Sequence, residues 1–150
     1  MRQRFVLASA FAFAVSAALV LPGCGKFKKT KECNAFIDKV NTAIKEIEQH
    51  SGSKGSDDAQ VIASMKKLGD LYDQLAKDVT ALEVTTPELK SHAANYKEMC
   101  TKAASTARQV ATAIETKNPE QAETAQKEFD KIVKQEDDLV NQINTFCQAP

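Results

Sequence analysis

Tryptophan is absent from this chain of 150 residues, and only five glycines and four prolines occur in it. That scarcity argues against a turn-rich sheet protein. Alanine, lysine, glutamate and glutamine are plentiful, and they favour long helices. An excess of one charge is missing too, since 20 basic residues face 20 acidic ones. Arg2 and Arg4 fall before Cys24, where no acid occurs, so the chain from Cys24 to Pro150 carries a formal charge of −2. No nucleic-acid partner is expected from such a balance.

Motifs of chemistry are equally scarce. There is no Cys-x-x-Cys-His haem attachment signal and no Glu-x-x-His pair of the di-iron bundle type. Several serines and threonines occur, but no recognisable motif places a base beside one. Met65 and Met99 fit helix packing better than metal ligation. Asp57-Asp58 and Glu136-Asp137-Asp138 read as capping or solvated charges, with calcium the lesser reading. No catalytic residue, cofactor or metal ligand is expected, and the chain does not read as an enzyme.

The N-terminus is richer. Met1–Arg4 carries two positive charges, and Phe5–Leu21 is an apolar run interrupted only by Ser9 and Ser16. This is slightly short of the roughly 20 residues that a spanning helix needs. With the Leu21-Pro22-Gly23-Cys24 junction that follows, it reads as a secretory signal. An uncleaved anchor helix is the other reading, and the helix-breaking Pro-Gly pair speaks against it. Leu21, Gly23 and Cys24 resemble the lipobox of bacterial lipoproteins, with Pro22 standing where that family usually has a small residue. The resemblance implies a diacylglyceryl group on the Cys24 thiol, cleavage before Cys24 and acylation of the new amine. Gly25 is not the Asp that favours inner-membrane retention in enteric bacteria, which points to the outer membrane. Residues 1–23 are then a signal peptide, 24–32 a lipidated tether and 33–150 the helical domain. Lys26, Lys28, Lys29 and Lys31 in the tether either attract anionic headgroups or are simply solvated. Eight extended residues span at most about 28 Å, which keeps the domain close to its membrane.

The rest of the chain repeats apolar residues at helical spacing. Cys33, Ile37, Val40, Ile44 and Ile47 form one seam, and Val61, Met65, Leu68, Tyr72, Leu75, Val79 and Leu82 a second. A third runs from Leu89 through Ala93, Tyr96, Cys100, Ala103, Ala107 and Val110 to Ile114, and the last carries Phe129, Ile132, Val133, Leu139, Val140, Ile143 and Phe146. A glycine-serine loop separates the first two, after which Ser56 or Asp57 can cap. Thr86-Pro87 and Asn118-Pro119 are cap-then-proline starts, and Gln121 can complete a capping box with Asn118. The predicted helices span 31–50, 57–83, 87–116 and 119–147. Short connections make neighbours antiparallel. The expected fold is all-α, an up-down-up-down antiparallel four-helix bundle. A three-helix bundle with the first and shortest helix loosely attached stays open. His50 ends the first helix and His92 starts the third, so the two lie at opposite ends and cannot share a metal.

Once Cys24 is lipidated, Cys33, Cys100 and Cys147 remain, in a compartment where disulfides form. Helices one and three are diagonal, too far apart for the roughly 7 Å Cα limit of a bridge. The turn near residue 117 sets Cys100 opposite residue 133, more than about 10 Å along the axis from Cys147. Helices one and four are adjacent, and their apolar spacing mirrors: Ile37 and Val40 follow Cys33 as Ile143 and Val140 precede Cys147. A Cys33–Cys147 disulfide is expected, with Cys100 a buried free thiol. Glu136 interrupts the fourth seam. It either reaches solvent along the helix or forms a buried polar pair that fixes register, with Tyr96 or Lys97 as partner.

The expected function is a lipid-anchored, non-catalytic envelope protein that binds another envelope protein or supports an assembly. The alternative is a carrier of a small apolar ligand or lipid in the alanine-rich part of the bundle, near Ala103, Ala107 and Ala125.

Overall fold

The structure, a computed structural model, describes residues 24–51 and 57–149. The expected signal peptide and the glycine-serine loop at 52–56 lie outside the described residues. Helices α1 (Cys24–Ser51), α2 (Asp58–Ala81), α3 (Pro87–Glu115) and α4 (Pro119–Gln148) form the up-down-up-down four-helix bundle. Among neighbouring helices the α2–α3 pairing is the most extensive, followed by α3–α4 and α1–α2, and the α1–α4 pairing is the slightest.

The seams meet in one core, with Tyr72, Tyr96, Phe36, Leu75, Leu89 and Cys100 its largest fully buried side chains. In α1 it is Phe36 that turns fully inward, while Ile37 is only half-buried, so the helix is rotated slightly from the expected seam. The alanines bring α2 and α3 close together. Ala103, Ala104, Ala107 and Ala111 are wholly buried, and a Cβ added to Gly69 would lie 3.1 Å from the Ala104 carbonyl oxygen. Arg108 closes over this contact, reaching Asp70 at 2.9 Å and Asp73 at 2.7 Å.

The helix ends follow from side-chain chemistry. Asp57 caps α2 by accepting from the Gln60 amide at 2.9 Å. The α3–α4 junction joins two motifs. Lys117 takes a left-handed φ of 53°, its amide donates to Ile114 O at 3.0 Å, and the Asn118 amide donates to Ala113 O at 2.9 Å. This paired pattern satisfies the last carbonyls of α3. The Asn118 side chain then caps α4, accepting from the Gln121 amide at 3.1 Å. With the Asn118 amide already committed to α3, the return bond of a capping box is not made, and Gln121 Oε1 instead takes the Asn118 side-chain amide at 3.4 Å.

Two expectations about the first helix need correction. The first helix, expected from residue 31, begins at Cys24 and runs 28 residues, so residues 24–32 are helical. It is therefore longer than α2, which has 24 residues and is the shortest of the four. Lysine is a good helix former, and the start of α1 is pinned by contacts far along the chain. Lys29 Nζ donates to Ala149 O at 2.7 Å and sits 4.5 Å from the Phe146 ring centre. A helix of eight residues advances about 12 Å, less than half the extended reach.

Candidate functional site

Two polar arrangements stand out against this apolar frame. One is inside the bundle, and the other is at the end where α1 begins.

Inside, Glu136 on α4 is 8% exposed, so it does not reach solvent. Its Oε1 accepts from the Tyr96 hydroxyl at 2.5 Å, and its Oε2 from the Tyr72 hydroxyl at 3.3 Å. Lys97, the other candidate partner, is exposed and plays no part. One step along a helix turns a side chain by about 100°, which takes position 97 off the seam that Tyr96 occupies. Tyr72 is a partner beyond the two expected. Counting back from the α2–α3 turn sets it opposite Tyr96, as counting from the α3–α4 turn sets Tyr96 opposite Glu136, so the sequence holds the signal for it.

Burial pushes the Glu136 carboxyl above the usual carboxylate range, against the two tyrosine hydrogen bonds that favour its charged form. Burial, then the Glu136 charge, pushes both tyrosines up. The same two causes raise the thiol of Cys100, which is free and buried. All four side chains are closed off from solvent. The arrangement ties α2, α3 and α4 together at one level and offers no access for a substrate.

At the end of the bundle, the structure joins Cys33 to Cys147, with Cα atoms 5.7 Å apart across a sequence separation of 114. One residue before this bridge, Glu32 reaches the start of α3. Its Oε1 accepts from the Thr85 hydroxyl at 2.6 Å and its Oε2 from the Thr86 amide at 2.9 Å. Thr86 occupies the N-cap position as expected, yet its own side chain makes no cap bond. A carboxylate from another helix caps α3 instead. The Thr85 hydroxyl bond is the main cause that holds the Glu32 carboxyl down at about 2, with the Thr86 amide helping. Nothing in the local sequence announces Glu32, which falls within the expected tether.

His92 lies beside the Phe146 ring at 5.7 Å, while His50 Nδ1 is 2.8 Å from Glu46 O at the far end of α1. Among the described residues, no group of three or more His, Cys, Asp or Glu side chains is placed to hold a metal ion. Also among them, no helix is long and apolar enough to cross a membrane. No family model, curated protein or solved structure matches the chain.

Proposed function

We propose that this chain is a bacterial lipoprotein, lipidated on Cys24 and held at the cell envelope on the periplasmic or cell-surface side, with the outer membrane favoured. Its four-helix domain works there without catalysis, by binding another envelope protein or supporting an assembly. The observation that carries this reading is the junction Leu21-Pro22-Gly23-Cys24, directly after a basic start and the apolar run Phe5–Leu21. A disulfide that closes the domain suits an oxidising compartment. The close-packed Gly69–Ala104 contact favours a filled alanine seam over one that holds a ligand.

The anchor is tested with Cys24→Ala. This variant should accumulate as uncleaved precursor or be released without lipid. A cleaved Cys24→Ala protein that still partitions with membranes as the parent does would defeat the reading. Cross-linking in intact envelopes, followed by mass identification of the linked chain, tests the binding role. A protein of the envelope should be recovered, and the absence of any cross-linked species would count against an assembly role.

A further inference from the structure

The start of α1 overhangs the bundle. Cys33 is bridged to Cys147, and α4 ends one residue beyond that bridge, at Gln148, whereas α1 begins well before it, at Cys24. Glu32 already reaches Thr85 and Thr86, the residues just before α3. The turns before Glu32 therefore extend past the ends of α3 and α4, by about 12 Å at 1.5 Å per residue.

This overhang carries the most exposed large apolar side chain among the described residues, Phe27, which is 79% exposed. Lys26, Lys28 and Lys31 surround it and are not buried. None of these three lysines has an ion-pair partner among the described residues, whereas Lys29 turns back onto Phe146 and Ala149. Helices α2, α3 and α4 each place an acid in the first turn, as the helix dipole favours, and α1 places none there. Glu32 and Glu83 border the same groove as Lys28 and Lys31, but Glu32 is engaged by Thr85 and Thr86. Among the described residues neither acid forms an ion pair with these lysines, while Phe27 has nothing in the bundle to pack on. Both lacks are met by one partner, a lipid leaflet with anionic headgroups. An aromatic ring suits the boundary between headgroups and acyl chains, and lysine ammonium groups suit the phosphates just above it.

We propose that the overhanging start of α1 is a membrane contact, with Phe27 entering the interface of an anionic phospholipid leaflet and Lys26, Lys28 and Lys31 among its phosphates. This rests on the lipid-anchor reading, because Cys24 lies one helical turn before Phe27 in α1. The contact makes the lipid and the helix act together. The acyl chains hold the protein, and the Phe27 turn sets the bundle upright on the surface so that the domain does not swing freely.

The absence of tryptophan from the chain makes the contact measurable. Phe27→Trp gives a single indole in the full chain, purified from membranes and reconstituted in vesicles of phosphatidylcholine and phosphatidylglycerol with brominated acyl chains. Emission from the introduced tryptophan should shift to the blue and be strongly quenched. Ala59→Trp, at the opposite end of the bundle, should be unaffected. Adding Lys26→Gln, Lys28→Gln and Lys31→Gln to Phe27→Trp should relieve much of the quenching. Unquenched emission from position 27 overturns the proposal, as does equal quenching in purely neutral vesicles. The mass of the N-terminal peptide reads lipidation separately. If Cys24 carries lipid and position 27 stays unquenched, the contact fails and the anchor stands. If Cys24 carries no lipid, the anchor reading fails, and quenching at position 27 still decides the contact.

Discussion

Tyr96 on α3 donates its hydroxyl proton to the Glu136 carboxylate on α4, with both side chains closed off from solvent. Breaking the pair from one side leaves a buried acid short of a donor, which costs about 1–3 kcal/mol. Tyr96→Phe should therefore destabilise the bundle by roughly that amount. Glu136→Gln keeps an acceptor and removes the charge, so it should do much less harm. Urea unfolding of the three proteins gives both comparisons.

The pH dependence separates these effects. The Glu136 carboxyl is raised in the folded chain, with burial the leading cause. Its contribution to stability is therefore fully present below the ordinary carboxylate range. It is lost as pH rises from that range through the raised folded value. Urea unfolding of the parent and Glu136→Gln should give a stability difference that moves in favour of glutamine as pH rises. A difference that stays flat between acid and neutral pH would show that Glu136 is solvated.

The Tyr96–Glu136 pair is legible in the sequence because a short turn fixes which residues of adjacent helices face each other. The disulfide is legible because the apolar steps after Cys33 mirror those before Cys147. Tyr72 follows from the same register rule, applied to the α2–α3 turn. Glu32 is a different case. Gly25 to Lys31 has no apolar period, and Phe27 points away from the core. Its helix is ordered by partners far along the chain, at Thr85, Thr86 and Ala149. Local pattern does not encode such contacts.

Glu32 should behave in the opposite sense to Glu136. Its folded carboxyl lies at about 2, lowered chiefly by the Thr85 hydroxyl. The stabilisation it gives is present above the ordinary carboxylate range and is lost as pH falls towards that lowered value. Glu32→Ala leaves the Thr86 amide and the Thr85 hydroxyl without their acceptor and should cost about 0.5–1.5 kcal/mol, the usual net worth of a hydrogen bond. Denaturation midpoints of parent and variant should converge on acidification. A gap that persists unchanged in strong acid would sink the assignment.

Lys117 holds the left-handed position that ends α3. That conformation costs a residue with a Cβ about 1–2 kcal/mol, a cost that glycine escapes. Lys117→Gly should stabilise the protein by up to about 1 kcal/mol, the greater freedom of unfolded glycine offsetting part of the gain. A lower melting temperature for Lys117→Gly would mean that the lysine side chain contributes more than its backbone costs.

Cys100 is buried beside the Glu136 group, with its thiol raised by burial and then by that charge. Thiolate is the reactive form, so the native protein should resist alkylation. Labelling of Cys100 should follow global unfolding and accelerate with denaturant. Rapid labelling of the folded chain without denaturant would place the thiol at the surface.

The Cys33–Cys147 bridge is placed where the bundle is otherwise thinnest, since α1 and α4 make the slightest pairing among neighbouring helices. It closes a loop that covers nearly the whole domain. On the chain-entropy argument, a loop of about 100 residues gains on the order of 4–5 kcal/mol. The bridge also holds the end of α4 against the start of α1, where Lys29 grips Phe146 and Ala149. Cys147→Ser should thus lower the melting temperature by more than Cys100→Ser. Its first effect should be faster amide exchange in α1, because the remaining α1–α2 face is modest beside α2–α3. Peptide mapping without reductant should recover the Cys33 and Cys147 peptides joined, and Cys100→Ser should leave that link intact. A Cys33–Cys100 link would require α1 and α3 to be neighbours. That arrangement is incompatible with α1 packing between α2 and α4, and it would require the helix order to be redrawn.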